Sequence, residues 1–227
     1  MVSKVKVEDT LCGHSAVAKA WKDDEGMFRV DVESECPKLK GFIDELPYIE
    51  LEMEDLYQVI VGDIYDCAVD NEVPATCPVP TAIVNACWIE VEMVAKSLAQ
   101  KSTITIGIPP EKTEGKPKVT KVKVDTGVCD YVVLIKAKTT PEGKIKLNIA
   151  TNCPEIKKGL DRLPEIDPDE ISVNNAMKMY EIADELKLTP ICFVPLAIAC
   201  ACLIEKGELD REAVEKAGPI KITYPKD

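Results

Sequence analysis

Among its 227 residues the chain has one histidine, His14, two glutamines, and no apolar run long enough to span a bilayer. It contains no Gly-rich phosphate loop, no HExxH and no nucleophile elbow, so nucleotide-dependent and hydrolytic enzymes lose their usual sequence support. Neither the Cys-x2-Cys zinc knuckle nor the Cys-x2-Cys-x2-Cys run of ferredoxins is present. Positive charge is short as well: 28 lysines and arginines face 40 aspartates and glutamates, a net charge of -12. That balance disfavours nucleic acid and anionic membranes as partners, although the charge is spread through the chain. The opening MVSKVKVED reads as an alternating strand rather than a signal peptide, and the expected location is the cytoplasm.

What the chain does have is cysteine. Ten occur in a background rich in Lys, Glu, Val and Ile, which together with the scarcity of Gln points to a thermophilic source. Cysteine is oxidisable and thermolabile. Ten of them in a reducing compartment point to metal binding, to an anaerobic host, or to the disulfide-rich cytosol of some hyperthermophiles. A chain of this length can bury a hydrophobic core, as one domain or two of about 100 residues, without covalent staples.

The chain is an internal duplication. Ser3 to Glu50 aligns without a gap on Thr120 to Asp167, with 16 of 48 positions identical. The second copy then loses two residues, and the match resumes with TCPVPTAIVNACWIE from Thr76 against ICFVPLAIACACLIE from Ile191. We expect a first unit over residues 1–108, a linker over 109–119 marked by the Pro- and Lys-rich IPPEKTEGKPKV, and a second unit over 120–227.

Each copy parses as three strands, a helical region and a closing strand. Alternation places strands near 3–8, 14–21 and 27–33, with Glu25–Gly26 and Glu142–Gly143 turning the second into the third. Pro37 and Pro154 sit where a helix starts, and Pro47 and Pro164 where it stops. A second helix is predicted over 52–68 and 169–187, a third beginning at Pro78 and Phe193, and closing strands at TITIGI and PIKITY. The expected class is α+β: two β-β-β-α-α-α-β units related by a pseudo-twofold axis.

Four cysteines per copy fall at matching places: Cys12, Cys36, Cys77 and Cys87 against Cys129, Cys153, Cys192 and Cys202. Cys67 and Cys200 have no counterpart and read as core. Cys12 and Cys129 fall in turns, whereas Cys36, Cys153 and Cys77 precede proline at a helix start, as Cys192 precedes Phe193. An N-cap position faces unpaired N–H groups and the positive end of the helix dipole, which favours a thiolate and supplies donors to cluster sulfides. Cys87 lies ten residues of helix, roughly 15 Å, from Cys77. It and Cys202 therefore read as helix-interior residues among small alanines suited to close helix packing.

Three thiolates per copy is the resulting candidate site: Cys12, Cys36 and Cys77, then Cys129, Cys153 and Cys192. The leading expectation is an iron–sulfur protein acting in electron transfer or cluster delivery, with a protein redox or cluster-acceptor partner. Three ligands permit a [4Fe–4S] cluster per repeat with one iron left for another ligand, or one larger cluster shared by six thiolates. The alternatives are a zinc-stabilised module, thiol catalysis, and a metal-free binding or scaffold protein whose cysteines are structural or paired as a Cys12–Cys36 disulfide. His14 is a candidate fourth ligand, with Tyr131 in its place in the second copy. Glu90 and Glu205 recur three residues after the last paired cysteine and read as solvated or helix-pair carboxylates ahead of catalytic bases.

CGH, the Ser-x-Cys-Pro of SECP and the CPVP helix start resemble a family of uncharacterised small proteins of anaerobic archaea and bacteria that usually carry one copy per chain. The resemblance spans each copy almost fully. The second copy departs from it with CDY for CGH and CFVP for CPVP. The resemblance implies the three cysteine positions and carries no activity with it.

Overall fold

Alternating apolar residues build the sheet, and the buried half of each alternation faces the helices. The computed structural model describes residues 2–57, 62–109 and 119–226. In it β1 (Ser3–Glu8), β2 (Ala16–Lys22) and β3 (Phe28–Ser34) each bury every second side chain. Their repeat counterparts β5 (Thr120–Asp125), β6 (Val132–Thr139) and β7 (Ile145–Thr151) do the same. Between β3 and the closing strand β4 (Thr103–Gly107) lie α1 (Lys40–Glu45), α2 (Asp63–Asp70), α3 (Val79–Glu90) and the short α4 (Lys96–Ala99). The second half follows with α5 (Pro154–Gly159), α6 (Met177–Glu185), α7 (Val194–Lys206), α8 (Arg211–Ala217) and β8 (Ile220–Thr223).

The closing strands do not return to their own repeats. All eight strands form one antiparallel sheet in the order β3-β2-β1-β8-β4-β5-β6-β7. β8 lies beside β1, with Val7 opposite Ile222, and β4 lies beside β5, with Ile106 opposite Val124. At the centre β4 pairs with β8, Ile104 opposite Ile222 and Ile106 opposite Ile220. Substituting each strand by its repeat counterpart reproduces the order read from the other edge. The stretches predicted as separate units therefore share one sheet and one core, and most of the predicted linker, residues 110–118, lies outside the described residues.

α3 packs on β1 and β2, and α7 on β5 and β6. Both helices are buried almost all round, from Val79 to Ile89 and from Val194 to Ile204, because further helices pack over them. Predicted helix bounds over 52–68 and 169–187 were too long. In the second copy Asp167 closes a capping box with Glu170 around a single turn, and the helix proper starts only after Asn175 accepts a 3.0 Å hydrogen bond from the Met177 N–H. In the first copy a short turn over Asp55–Tyr57 precedes α2, and 58–61 lie outside the described residues. The short α4 and α8 were not predicted. Among the described residues no helix is long and apolar enough to cross a membrane.

Candidate functional site

The β1–β2 turn carries Cys12. The Gly13 N–H donates to the Thr10 carbonyl at 2.9 Å, and Gly13 takes φ +78, a left-handed conformation that glycine adopts without strain. Its counterpart Asp130 has φ 55, and its N–H donates to the Gly127 carbonyl at 3.1 Å. This explains why CDY can replace CGH, since Asp is among the few side chains that tolerate the left-handed region. Thr10 Oγ1 stands 3.2 Å from Cys12 Sγ and donates to the His14 carbonyl.

The strand-to-helix corner after β3 carries Cys36. Its N–H donates to Ser34 Oγ at 3.2 Å, and the Cys153 N–H donates to Thr151 Oγ1 at 3.0 Å. Proline follows both, and the two cysteines take nearly the same backbone angles: φ -69, ψ 116 at Cys36 and φ -67, ψ 120 at Cys153. Cys77 and Cys192 sit one residue further from their helices than predicted. Pro78 and Phe193 are the N-caps of α3 and α7, and the Cys77 and Cys192 N–H groups close preceding turns onto Pro74 and Thr189.

These corners converge. Cys12, His14, Cys36 and Cys77 line one cavity of about 210 Å³. Cys129, Tyr131, Cys153 and Cys192 line a second of about 170 Å³. Each cavity is completed from the other half of the chain, the first by Val173 and Leu209 and the second by Asn85 and Ile104. The Asn85 side chain also donates to the Ile191 carbonyl at 3.0 Å and accepts from the Tyr224 hydroxyl at 3.2 Å, which ties α3 to the loop before Cys192. In both cavities the turn cysteine, Cys12 or Cys129, is exposed, while Cys77 and Cys192 are partly covered. All ten cysteines are free thiols.

Burial dominates the electrostatics. It pushes the Cys77 thiol up to about 12, opposed by the Val79 N–H and reinforced by the neighbouring Cys12 and Cys36. Cys192 is likewise pushed up to about 12 by burial, against the Val194 N–H and with Cys129 and Cys153 adding to the rise. Burial also raises Cys36; the Lys38 N–H opposes it and the adjacent Cys12 thiol adds to it. No full capping hydrogen bond reaches the Cys36 sulfur, yet the N–H groups of Lys38 and Leu39 lie close enough to favour its charged form. The helix starts thus supply the expected donors, but at Cys36, Cys77 and Cys192 burial outweighs them and raises the thiol. Among the described residues no group of three or more His, Cys, Asp or Glu side chains is disposed to hold a single metal ion.

The remaining cysteines line neither cavity. Cys87, Cys200 and Cys202 are buried inside α3 and α7, and Cys67 packs in α2 against Glu45 and Asn71. Sequence reasoning missed Tyr65 and Tyr180, whose rings meet in a tilted contact with centroids 4.7 Å apart and planes at 57°. Together with Cys77 and Cys192 they line a small cavity of about 20 Å³ between the two sites. Tyr65 donates to the Pro190 carbonyl, crossing from one repeat to the other. The signal was present: the two tyrosines are 115 residues apart, the offset that relates Thr76 to Ile191.

A family of unknown function (DUF6951) matches the chain twice, over residues 3–104 and 120–217. No curated protein and no solved structure matches.

Proposed function

The chain belongs to this family of unknown function, and we propose that it is an iron–sulfur cluster-binding protein with three cysteine ligands per repeat, acting in electron transfer or cluster delivery. The observation that carries the reading is the partition of the cysteines. Six of the eight that recur between the repeats line two cavities, three to each, and the other four of the ten line neither. Packing alone gives no reason for three thiols to converge at matched places in halves that differ at 32 of 48 aligned positions.

The ligands would be Cys12, Cys36 and Cys77 in the first site and Cys129, Cys153 and Cys192 in the second. His14, which lines the first cavity, would complete the first set, with Tyr131 at the matching place in the second. A bound cluster supplies a one-electron couple, and one iron not held by cysteine is open to another ligand. Two separate cavities support one cluster per repeat over a larger one shared across a pseudo-twofold axis between β8 and β4. Zinc has less support, because tetrahedral thiolate ligation at ~2.3 Å brings sulfurs to about 3.8 Å from one another, and no such grouping occurs among the described residues. A cluster spreads its ligands over separate irons and takes a wider set. The exposed Cys12 and Cys129 mark where a protein partner would approach. A reducing, anaerobic cytoplasm goes with the reading, since exposed thiols and clusters oxidise in air.

One observation favours a metal-free alternative: the Cys12 and Cys36 thiols are neighbours in the first cavity, as the partners of a disulfide must be. Anaerobic purification separates the two. Stoichiometric iron and acid-labile sulfide with broad visible absorption support the cluster. Colourless protein that stays metal-free after anaerobic reconstitution, with ten titratable thiols or a Cys12–Cys36 disulfide, overturns it.

A further inference from the structure

The acidic charge of the chain is not spread evenly. Lysine alternates with apolar residues in the strands, so the pleat carries the lysines to the face of the sheet turned away from the helices. On β5, β6 and β7 that face presents Lys121, Lys123, Lys136, Lys138 and Lys146 against the single carboxylate of Asp125. On β1 to β3 it presents Lys4, Lys6, Lys19 and Arg29 against Glu8, Asp31 and Glu33, and β8 adds Lys221. Ten basic and four acidic side chains give the outward strand positions a balance of +6, of which Asp9, Asp23 and Glu165 at the rim offset three by pairing with Lys221, Arg29 and Lys146. With a total of -12, the rest of the chain carries -18.

The register concentrates this charge at a cost. Lys136 lies directly opposite Lys121, and Lys138 directly opposite Lys146. Like charges in such cross-strand positions repel. The first copy has the same clash, Lys4 opposite Lys19, but there Lys19 is ion-paired with Asp31 and Glu33. Their counterparts in the second copy are Asn148 and Ala150, so the Lys136 environment lacks that relief. A groove along this edge is lined by Lys136, Lys138 and Lys146 together with Glu142 and Glu165, of which Glu165 pairs with Lys146 at 3.9 Å, leaving Lys136 and Lys138 as its lysines without an ion pair among the described residues.

We propose that the bare sheet face, centred on β5 to β7, is a docking surface for an acidic protein. Its dimensions fit: eight strands at about 4.8 Å spacing by six residues at about 3.3 Å give roughly 760 Å², near the ~800 Å² that each partner brings to a standard interface. A single-stranded nucleic acid would need aromatic platforms, and the outward face of the strands carries Trp21 alone. A membrane leaflet extends past the patch and would meet the strongly negative remainder of the molecule. A protein with a local acidic patch engages the lysines without that penalty. The inference is independent of any cluster.

The probe is poly-L-glutamate, with oligo(dT) of matched charge and anionic phosphatidylserine vesicles as comparators, followed by fluorescence anisotropy or co-sedimentation at about 50 and 300 mM salt. Poly-L-glutamate should bind at low salt and release at high salt. K136E/K138E should weaken binding at least tenfold, while K157E/K158E in α5, with the same change in net charge, should leave it within about twofold. The thermal midpoint of K136E/K138E should not fall, because each new glutamate faces a lysine across the strands, so lost binding does not reflect unfolding. Equal losses in both variants, no binding of poly-L-glutamate, or tighter binding of oligo(dT) or vesicles would overturn the proposal. So would low-salt self-association abolished by K136E/K138E, which would make the occupant a second copy.

Discussion

The buried hydroxyl of Ser3 donates a 2.7 Å hydrogen bond to the carboxylate of Glu90 at the end of α3, and 117 residues on Thr120 donates one of the same length to Glu205 at the end of α7. Glu205 also accepts from the Thr139 N–H and Oγ1 at 2.8 and 3.1 Å. The recurring glutamates therefore pin each central helix to the first strand of its own repeat. Removing one leaves a buried hydroxyl unpaired, which costs about 1–3 kcal/mol. Glu205→Ala and Glu90→Ala should each destabilise by that amount. Iron content should be unchanged in both. Urea unfolding with iron assay checks this, and loss of iron from a folded variant would assign the glutamates to the site instead.

The partition of the cysteines makes a sharper claim. Cys36→Ser and Cys153→Ser should each remove a large share of the iron, while Cys67→Ser and Cys200→Ser should keep it, since only the first pair line cavities. Iron and sulfide measured on the four anaerobically purified proteins decide the matter. Equal iron in all four would sink the ligand assignment.

Cys87 and Cys202 test the other side of the same division. Both are fully buried within helices, so Cys87→Ala and Cys202→Ala should lower stability by roughly 1 kcal/mol or a little more and leave metal content intact. A folded variant lacking metal would show that the division between ligand and packing cysteines is misplaced.

How far the sequence foretold this structure depends on the range of the interaction involved. Strand positions were legible because alternation is local, and the corners at Cys36 and Cys153 were legible because proline restricts its neighbour. The exchange of β4 and β8 was not. ITI and IKI alternate identically, and nothing within either strand states which first strand it will pair with. The helix starts announced N–H donors at the cysteines, yet whether burial outweighs those donors depends on Val173, Leu209, Asn85 and Ile104, which arrive from the opposite repeat. The Tyr65–Tyr180 contact was legible only through the shared offset of 115 residues, because the surrounding stretch has drifted and the second copy has lost two residues there.

Burial of thiols also sets a pH dependence. Cys87, Cys200 and Cys202 are pushed up to about 12 by burial, against about 8.5 for cysteine in an unfolded chain. The fold therefore favours the protonated form. That stabilisation is complete below about pH 8.5 and is lost as pH rises from there towards 12, where the unfolded chain has released protons that the native one retains. Metal-free protein, kept reduced, should unfold at lower urea at pH 10 than at pH 7.5. The triple variant C87A/C200A/C202A should show a shallower fall. An equal fall in both would mean that the buried thiols do not contribute to it.

The two sites should load and titrate separately and unequally. They share no lining residue, so Cys12→Ser/Cys36→Ser should empty the first and leave about half the iron, with one redox transition remaining. A single shared cluster would instead lose all its iron. Inequality follows from the residues that differ between the cavities. His14 lines the first and Tyr131 the second, and imidazole is the better ligand for an iron that no cysteine holds. Proline follows Cys77, whereas Phe193 follows Cys192, which presents the two sulfurs differently at their helix starts. An anaerobic redox titration followed by EPR should therefore resolve two transitions in the parent protein, and His14→Ala should move only one of them. Two identical transitions, or a shift of both on His14→Ala, would contradict the independence of the cavities and the role given to His14.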